Sequence, residues 1–252
     1  SAKKYPRVVM ALDPRQAPWE VYADLAEAPV TRRESGAADQ SLGSIRSVVL
    51  TAVHRFTPEI LALVRHIHRS FPALNLGSDW ELDVESLETT AQTGEKPLLF
   101  VHENDRSEIE AVLRRSAALQ SDGDVNTRTA IVLLDPFKIS EYEAVANALR
   151  VSVRVVASRD DVANLRYSKR ALVLSAAEYV GGLQFDNVIV AGIEGPQGVA
   201  NLGYQLRRLL SLLYLGVSRA TRHVELHVND ARGGVPEILA RALDVGIVVR
   251  PQ

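Results

Sequence analysis

Hydrophobic positions along the chain fall into two alternating rhythms. Short runs rich in β-branched residues at 8–12, 45–53, 97–102, 129–134, 153–157, 171–177, 187–193 and 224–228 read as strands. The run from Ala130 to Leu134 is continuously apolar, as expected of a strand covered on both faces. Between these runs, residues 57–70, 105–119, 140–149 and 204–217 repeat apolar side chains at helical spacing, and 235–243 reads as a short last helix. Alternation of this kind predicts right-handed βαβ units, hence an α/β fold with a mainly parallel sheet flanked by helices.

Local signals sharpen two helix starts. Thr57 followed by Pro58 supplies an N-cap and a first helical residue with a fixed φ. Ser140 with Glu143 three residues on has the spacing of a capping box. Two stretches are irregular. Residues 29–44 are polar and read as a linker, and residues 75–96 place Asp79, Glu81, Asp83 and Glu85 at every second position, with Glu88 beyond. Those carboxylates lack a histidine or the fixed ligand spacing of a cation loop, so they read as a solvated strand or loop face.

Composition removes whole classes of chemistry. The 252 residues contain no cysteine, which excludes disulfides, thiolate metal sites and cysteine nucleophiles. Lys and Arg number 29 against 31 Asp and Glu, and the formal net charge of −2 argues against a strongly basic nucleic-acid wrapper while leaving room for a local basic groove. No apolar run approaches the ~20 residues needed to span a bilayer, and no signal-peptide pattern opens the chain, so a cytoplasmic domain is expected. The chain opens Ser1, Ala2, Lys3 rather than with Met, which reads as a piece of a longer protein.

The sequence holds no self-contained phosphate-loop, dinucleotide or hydrolase motif. Gly-Lys never occurs, so there is no phosphate loop, and Gly192, Gly195 and Gly198 are spaced for neither that loop nor a dinucleotide fingerprint. His66 and His68 are two apart on a predicted helix and point to different faces. His54, His102, His223 and His227 have no partner evident from spacing and read as satisfied or solvated histidines.

Four segments in chain order are more informative. Residues 8–16 form a strand followed by Asp13, Pro14, Arg15 and Gln16, with Trp19 and Tyr22 just downstream. Residues 50–61 place Arg55 between a strand and a Thr-Pro helix start. Gly182 to Val188, containing Leu183, Gln184, Phe185 and Asp186, form a third block, and Leu213 to Arg222, containing Tyr214, Ser218 and Arg219, a fourth. These blocks resemble motifs III, IV, V and VI of the UvrD/Rep-like superfamily 1 helicases.

The resemblance implies a division of the chain. Residues 1–28 would end a first RecA-like domain, 29–44 would link, and 45–252 would form the second RecA-like domain, of P-loop NTPase type. It implies that Arg55 and Arg219 are catalytic arginines reaching the phosphates of ATP. It further implies that Gln16 senses the terminal phosphate, that Gly182 and Gln184 contact the nucleotide, and that Trp19 and Tyr22 stack on single-stranded bases. ATP and Mg2+ would be held by an N-terminal phosphate-loop domain of the same protein. Single-stranded DNA or RNA would be the track, no membrane is implied, and this piece alone would be an inactive part of an ATP hydrolase. A guanidinium suits such a task because it is always charged and forks onto phosphate oxygens. Both arginines are expected on one edge of the sheet, at strand C-terminal ends.

The sequence also departs from the motifs. The threonine, histidine and lysine of motif V stand here as Ala176, Glu178 and Gly181, its glutamate is Gln184, and the glycine before the motif III aspartate is Leu12. An acid where a strand-gripping residue belongs repels phosphate. Apart from the motifs, Arg219 reads as a helix cap or an ion-pair partner, Tyr214 as core, and Trp19 as half-buried packing. A non-catalytic RecA-like docking module for protein or nucleic acid is therefore the alternative, and a flavodoxin-like small-molecule binder a third.

Overall fold

The structure, a computed structural model, describes residues 52–53, 55–71, 88–165, 172–198 and 201–251. Residues 1–51, with Gln16, Trp19, Tyr22 and both expected boundaries at 28 and 44, lie outside the described residues, as do His54 and most of the acidic stretch.

Six strands form one parallel sheet: β3 (Leu98–His102), β4 (Thr129–Leu133), β5 (Arg154–Val156), β6 (Leu172–Ala176), β7 (Phe185–Ala191) and β8 (Ala220–Asn229), in the spatial order β3-β8-β7-β4-β6-β5. Two short strands, β1 (Ala52–Val53) and β2 (Glu88–Thr89), pair separately and in parallel. The helices are α1 (Pro58–Arg69), α2 (Asp105–Asp122), α3 (Ile139–Leu149), α4 (Arg159–Leu165), α5 (Leu202–Val217) and α6 (Glu237–Asp244). No described helix is long and apolar enough to cross a membrane. The expected parallel α/β architecture is present.

Period-2 geometry divides the central strands between two cores. In β4, Ala130 and Val132 join the core under α1, α5 and α6, while Ile131 and Leu133 join the core under α2 and α3. Val188 and Val190 of β7 likewise face the first layer, and Ile189 and Ala191 the second. Both faces being covered explains why these strands are continuously apolar. Gly216 lets α5 approach the sheet closely, since a Cβ there would lie 3.2 Å from Val190 Cγ2 and 3.3 Å from Val132 Cγ1.

The Thr57 cap is observed. Its Oγ1 accepts from the Ile60 amide at 3.3 Å, and Pro58 opens α1. The Ser140–Glu143 box is not. α3 starts at Ile139, its N-cap is Lys138, and no side chain caps it. The reason lies just upstream, where Asp135 caps a 3-10 turn over Pro136–Lys138 that runs directly into the helix. A reciprocal capping box forms instead between Asn104 and Ser107 at the start of α2.

Candidate functional site

Two of the motif-like blocks are joined by backbone. Gly182, Leu183 and Gln184 lead into β7, and Arg219 leads into β8, its parallel neighbour. The Phe185 amide donates to the Arg219 carbonyl at 2.9 Å, and the Thr221 hydroxyl donates to the Phe185 carbonyl at 3.2 Å. Gly182 adopts φ +77° in an exposed turn, with no atom within 4 Å of where a side chain would begin. Gln184 is exposed beside it. The turn therefore presents bare backbone and one amide side chain to whatever approaches this edge.

Arg55 lies in the connection between β1 and α1, close enough to Tyr214 of α5 to feel its hydroxyl. It follows β1, lies with its guanidinium carbon 4.4 Å above the Phe56 ring, and keeps Nε buried without a hydrogen-bond partner among the described residues. Burial lowers its pKa, and the nearby Tyr214 hydroxyl partly opposes that shift. Tyr214 itself is core, 7% exposed and packed edge-on against Phe71 at 6.5 Å, as its leucine-rich surroundings predict.

Arg219 occupies the end of α5. Its Nε donates to the Leu215 carbonyl at 3.2 Å, and its Nη2 to the Ser218 hydroxyl at 2.9 Å, and the residue is 3% exposed. A cation at a helix C-terminus satisfies orphan carbonyls and favours the negative end of the helix dipole. This is the capping geometry that the isolated residue predicts. Arg55 and Arg219 thus both border the last turn of α5, one beside Tyr214 and the other on Leu215 and Ser218.

The edge differs from expectation. Arg55 follows β1, but Arg219 precedes β8 and so lies at the N-terminal end of the sheet strand, not the C-terminal end. A parallel crossover must carry the chain back to the starting edge, so any residue between a helix and the next strand falls there.

Four polar residues of β8 were not legible as a cluster. His223, Glu225, His227 and Asn229 alternate with Val224, Leu226 and Val228, yet Glu225, His227 and Asn229 are buried. Arg115 of α2 binds Glu225 with two hydrogen bonds, His223 Nε2 donates at 2.9 Å, and His227 Nε2 donates at 3.2 Å. His102 Nε2 lies 2.9 Å from His227 Nδ1, and the far nitrogen of His223 faces Glu95 at 3.3 Å. Burial opposes the Glu225 charge, but the hydrogen bonds from Arg115, His223 and His227 prevail and hold its pKa well below the usual carboxylate range. Of the histidines that lacked evident partners, His102 and His227 are each other's partners, and His223 pairs with Glu225 and Glu95.

At the opposite end of β8 a second network ties loops together. Arg232 chelates Asp105 at 2.6 and 2.7 Å and also pairs with Glu194, while Lys138 and Asn229 add to Asp105. Asp105 is held well below its ordinary pKa, first by the Arg232 hydrogen bonds. These ions satisfy one another, and no group of three or more His, Cys, Asp or Glu among the described residues is arranged to hold a metal.

No sequence family matches the chain, and no curated protein matches it. In structure it is similar to the C-terminal domain of a possible DNA helicase from Lactobacillus plantarum WCFS1, with a TM-score of 0.53 and 19% identity over 79% of this chain and 99% of that one. A fainter match, to the C-terminal part of the Fun30 ATPase domain, has a TM-score of 0.32 and 12% identity over 88% and 82% of the two chains and is too distant to weigh. At such identity the likeness concerns the fold: a parallel sheet between helical layers, of the RecA-like kind.

Proposed function

We propose that this chain is the second RecA-like part of an ATP-dependent, UvrD-like helicase or translocase. The observation that carries this reading is that Arg55, beside Tyr214, and Arg219, on Leu215 and Ser218, both border the last turn of α5, while Gln184 precedes the strand residue Phe185 that bonds to the Arg219 carbonyl. The likeness to a helicase C-terminal domain supports it. ATP with Mg2+, bound by a phosphate-loop domain N-terminal to this chain, would supply the phosphoanhydride to be hydrolysed. The residues present fit such a group: Arg55 Nε is an unused buried donor, and the Gly182 turn leaves room for close approach. Arg55 and Arg219 would fork onto phosphate oxygens, Gln184 would hydrogen-bond a ribose hydroxyl, and Gln16 would sense the terminal phosphate. Trp19 and Tyr22 would stack on bases of a single strand.

Arg219 is stowed against its own helix, which favours a second reading as a non-catalytic docking module. Turnover separates the two. In the intact parent, Arg219→Ala lowers single-strand-stimulated ATPase by about 10³-fold or more if the guanidinium serves the transition state. Wild-type turnover in that variant supports the docking module.

A further inference from the structure

β6, β4 and β7 are neighbours in the sheet, and the segments that leave their carboxyl ends, 177–180, 134–141 and 192–198, share one edge of the molecule. This edge lies opposite Arg219 and the Gly182 turn, which precede β8 and β7. Phe137 stands on it 91% exposed, the most exposed large apolar side chain among the described residues. The exposure is built in. Asp135 Oδ1 accepts from the Phe137 amide at 3.0 Å, Pro136 fixes the turn, and Lys138 is drawn inward, where its Nζ binds Asp105 at 3.1 Å. The turn runs straight into α3, so residues four apart share a face. Lys138 and Tyr142 are accordingly buried, whereas Phe137 and Glu141 are exposed. The surrounding charge is one-sided. The acids of the three segments are Asp135, Glu141, Glu178 and Glu194, and their one cation is Lys138. Lys138 is bound to Asp105 and Glu194 to Arg232, so the charges of Asp135, Glu141 and Glu178 stay uncompensated within these segments.

We infer that this edge docks an arginine-bearing segment of a partner protein, with a guanidinium over the Phe137 ring and its fork on Glu141 or Glu178. A guanidinium is suited to both contacts at once, since it stacks on aromatic faces and binds carboxylates through paired hydrogen bonds. The fold already contains that arrangement internally: Arg115 lies 4.2 Å from the centre of the Phe100 ring while it holds Glu225 with two hydrogen bonds. At Phe137 the ring and the acids are present on the surface, and the arginine is the missing third part. An aromatic ring presented on a pinned turn has little ordering left to lose, which is what makes a good anchor. The same carboxylates repel phosphate, so the face is unsuited to a nucleic acid. The inference does not rest on the helicase-like reading.

The test is fluorescence anisotropy of a labelled peptide of alternating arginine and glycine, titrated with the 252-residue chain at low and at physiological salt. The wild type is expected to bind, and more tightly than it binds the same peptide with lysine in place of arginine. Phe137→Ser is expected to weaken binding about 5- to 30-fold at both salt concentrations, and Phe137→Tyr to keep it. Glu141→Gln with Glu178→Gln is expected to weaken binding chiefly at low salt, where surface charges are least screened. The ring touches solvent, so Phe137→Ser should unfold in urea as the wild type does. A wild type that fails to bind the arginine peptide at low salt, or a Phe137→Ser variant that binds as the wild type does, overturns the inference. Phe137-dependent binding of oligothymidine overturns it in favour of a nucleic acid, and self-association in sedimentation that Phe137→Ser abolishes gives the face to a second copy of the chain. Turnover of the parent with Arg219→Ala is read separately, so either reading can fail while the other stands.

Discussion

Arg115 and Glu225 meet across the α2–β8 interface through paired hydrogen bonds, Nε to Oε2 at 2.7 Å and Nη2 to Oε1 at 2.5 Å. The carboxylate is fully buried, while the arginine is 39% exposed and stacks on Phe100 with its guanidinium carbon 4.2 Å from the ring centre. Removing the arginine leaves a buried charge with two histidine donors only. Arg115→Leu is therefore expected to lower unfolding free energy by about 3 kcal/mol, read as a lower urea midpoint. Adding Glu225→Leu should recover part of that loss, because the stranded charge goes with it. A double variant no more stable than Arg115→Leu would mean that the pair is not coupled.

The same network predicts acid sensitivity. Burial, helped by the neighbouring His227, lowers the His102 pKa to about 4, and burial also lowers that of His227 despite Glu225. Both folded values lie below the unfolded value of about 6.5, so the fold prefers the neutral rings. Their contribution is complete above pH 6.5 and is lost as pH falls below it, for His102 toward about 4. Glu225 and Asp105 shift downward, so their contribution is present above their ordinary pKa values and is lost only below them. Melting temperature should thus start to fall near pH 6.5, before Glu225 or Asp105 protonates. His102→Gln should flatten the pH 6.5 to 5 segment. A wild-type melting temperature constant from pH 7.5 to 5 would contradict this account.

How much of this was readable depends on how far apart partners lie in sequence. The Thr57–Pro58 helix start and the two-faced β4 are local patterns and were legible. The Ser140–Glu143 spacing misled because Asp135 and Pro136 had already turned the chain. The polar alternation of β8 would ordinarily mark a solvated face, yet Glu225 is buried because its partner Arg115 stands 110 residues earlier. The Phe185–Arg219 backbone bond was foreshadowed only by motif order, and neither burial nor the edge of Arg219 could be read from it. The capping role of Arg219, by contrast, was among the residue-level readings.

At α1, the cap makes a clean test. Thr57 is 7% exposed, its hydroxyl oxygen accepts from the Ile60 amide, and its methyl group adjoins Gly94. Thr57→Ala should cost about 1 kcal/mol, and Thr57→Ser should keep most of the stability. Because Arg55 lies two residues upstream, fraying of this turn should also lower parent ATPase more than the stability loss alone explains. Equal unfolding curves for Thr57→Ala and wild type would show the cap to be idle.

Two glycines separate conformational from steric demand. Gly182 has free space around it but a left-handed φ of +77°, so Gly182→Ala should cost about 1 kcal/mol from backbone strain alone. Gly182→Asn should cost less, since asparagine tolerates that region. Gly216 is the reverse case, helical in backbone but tight against Val190 and Val132. Gly216→Leu should cost about 1–3 kcal/mol by overpacking, and no choice of polar or αL-tolerant residue should rescue it. Chemical denaturation of the four proteins, wild type included, decides the matter. If Gly182→Ala and Gly182→Asn unfold alike, strain is not what glycine relieves in this turn, and the open space beside it becomes the sole reason for its presence next to Gln184.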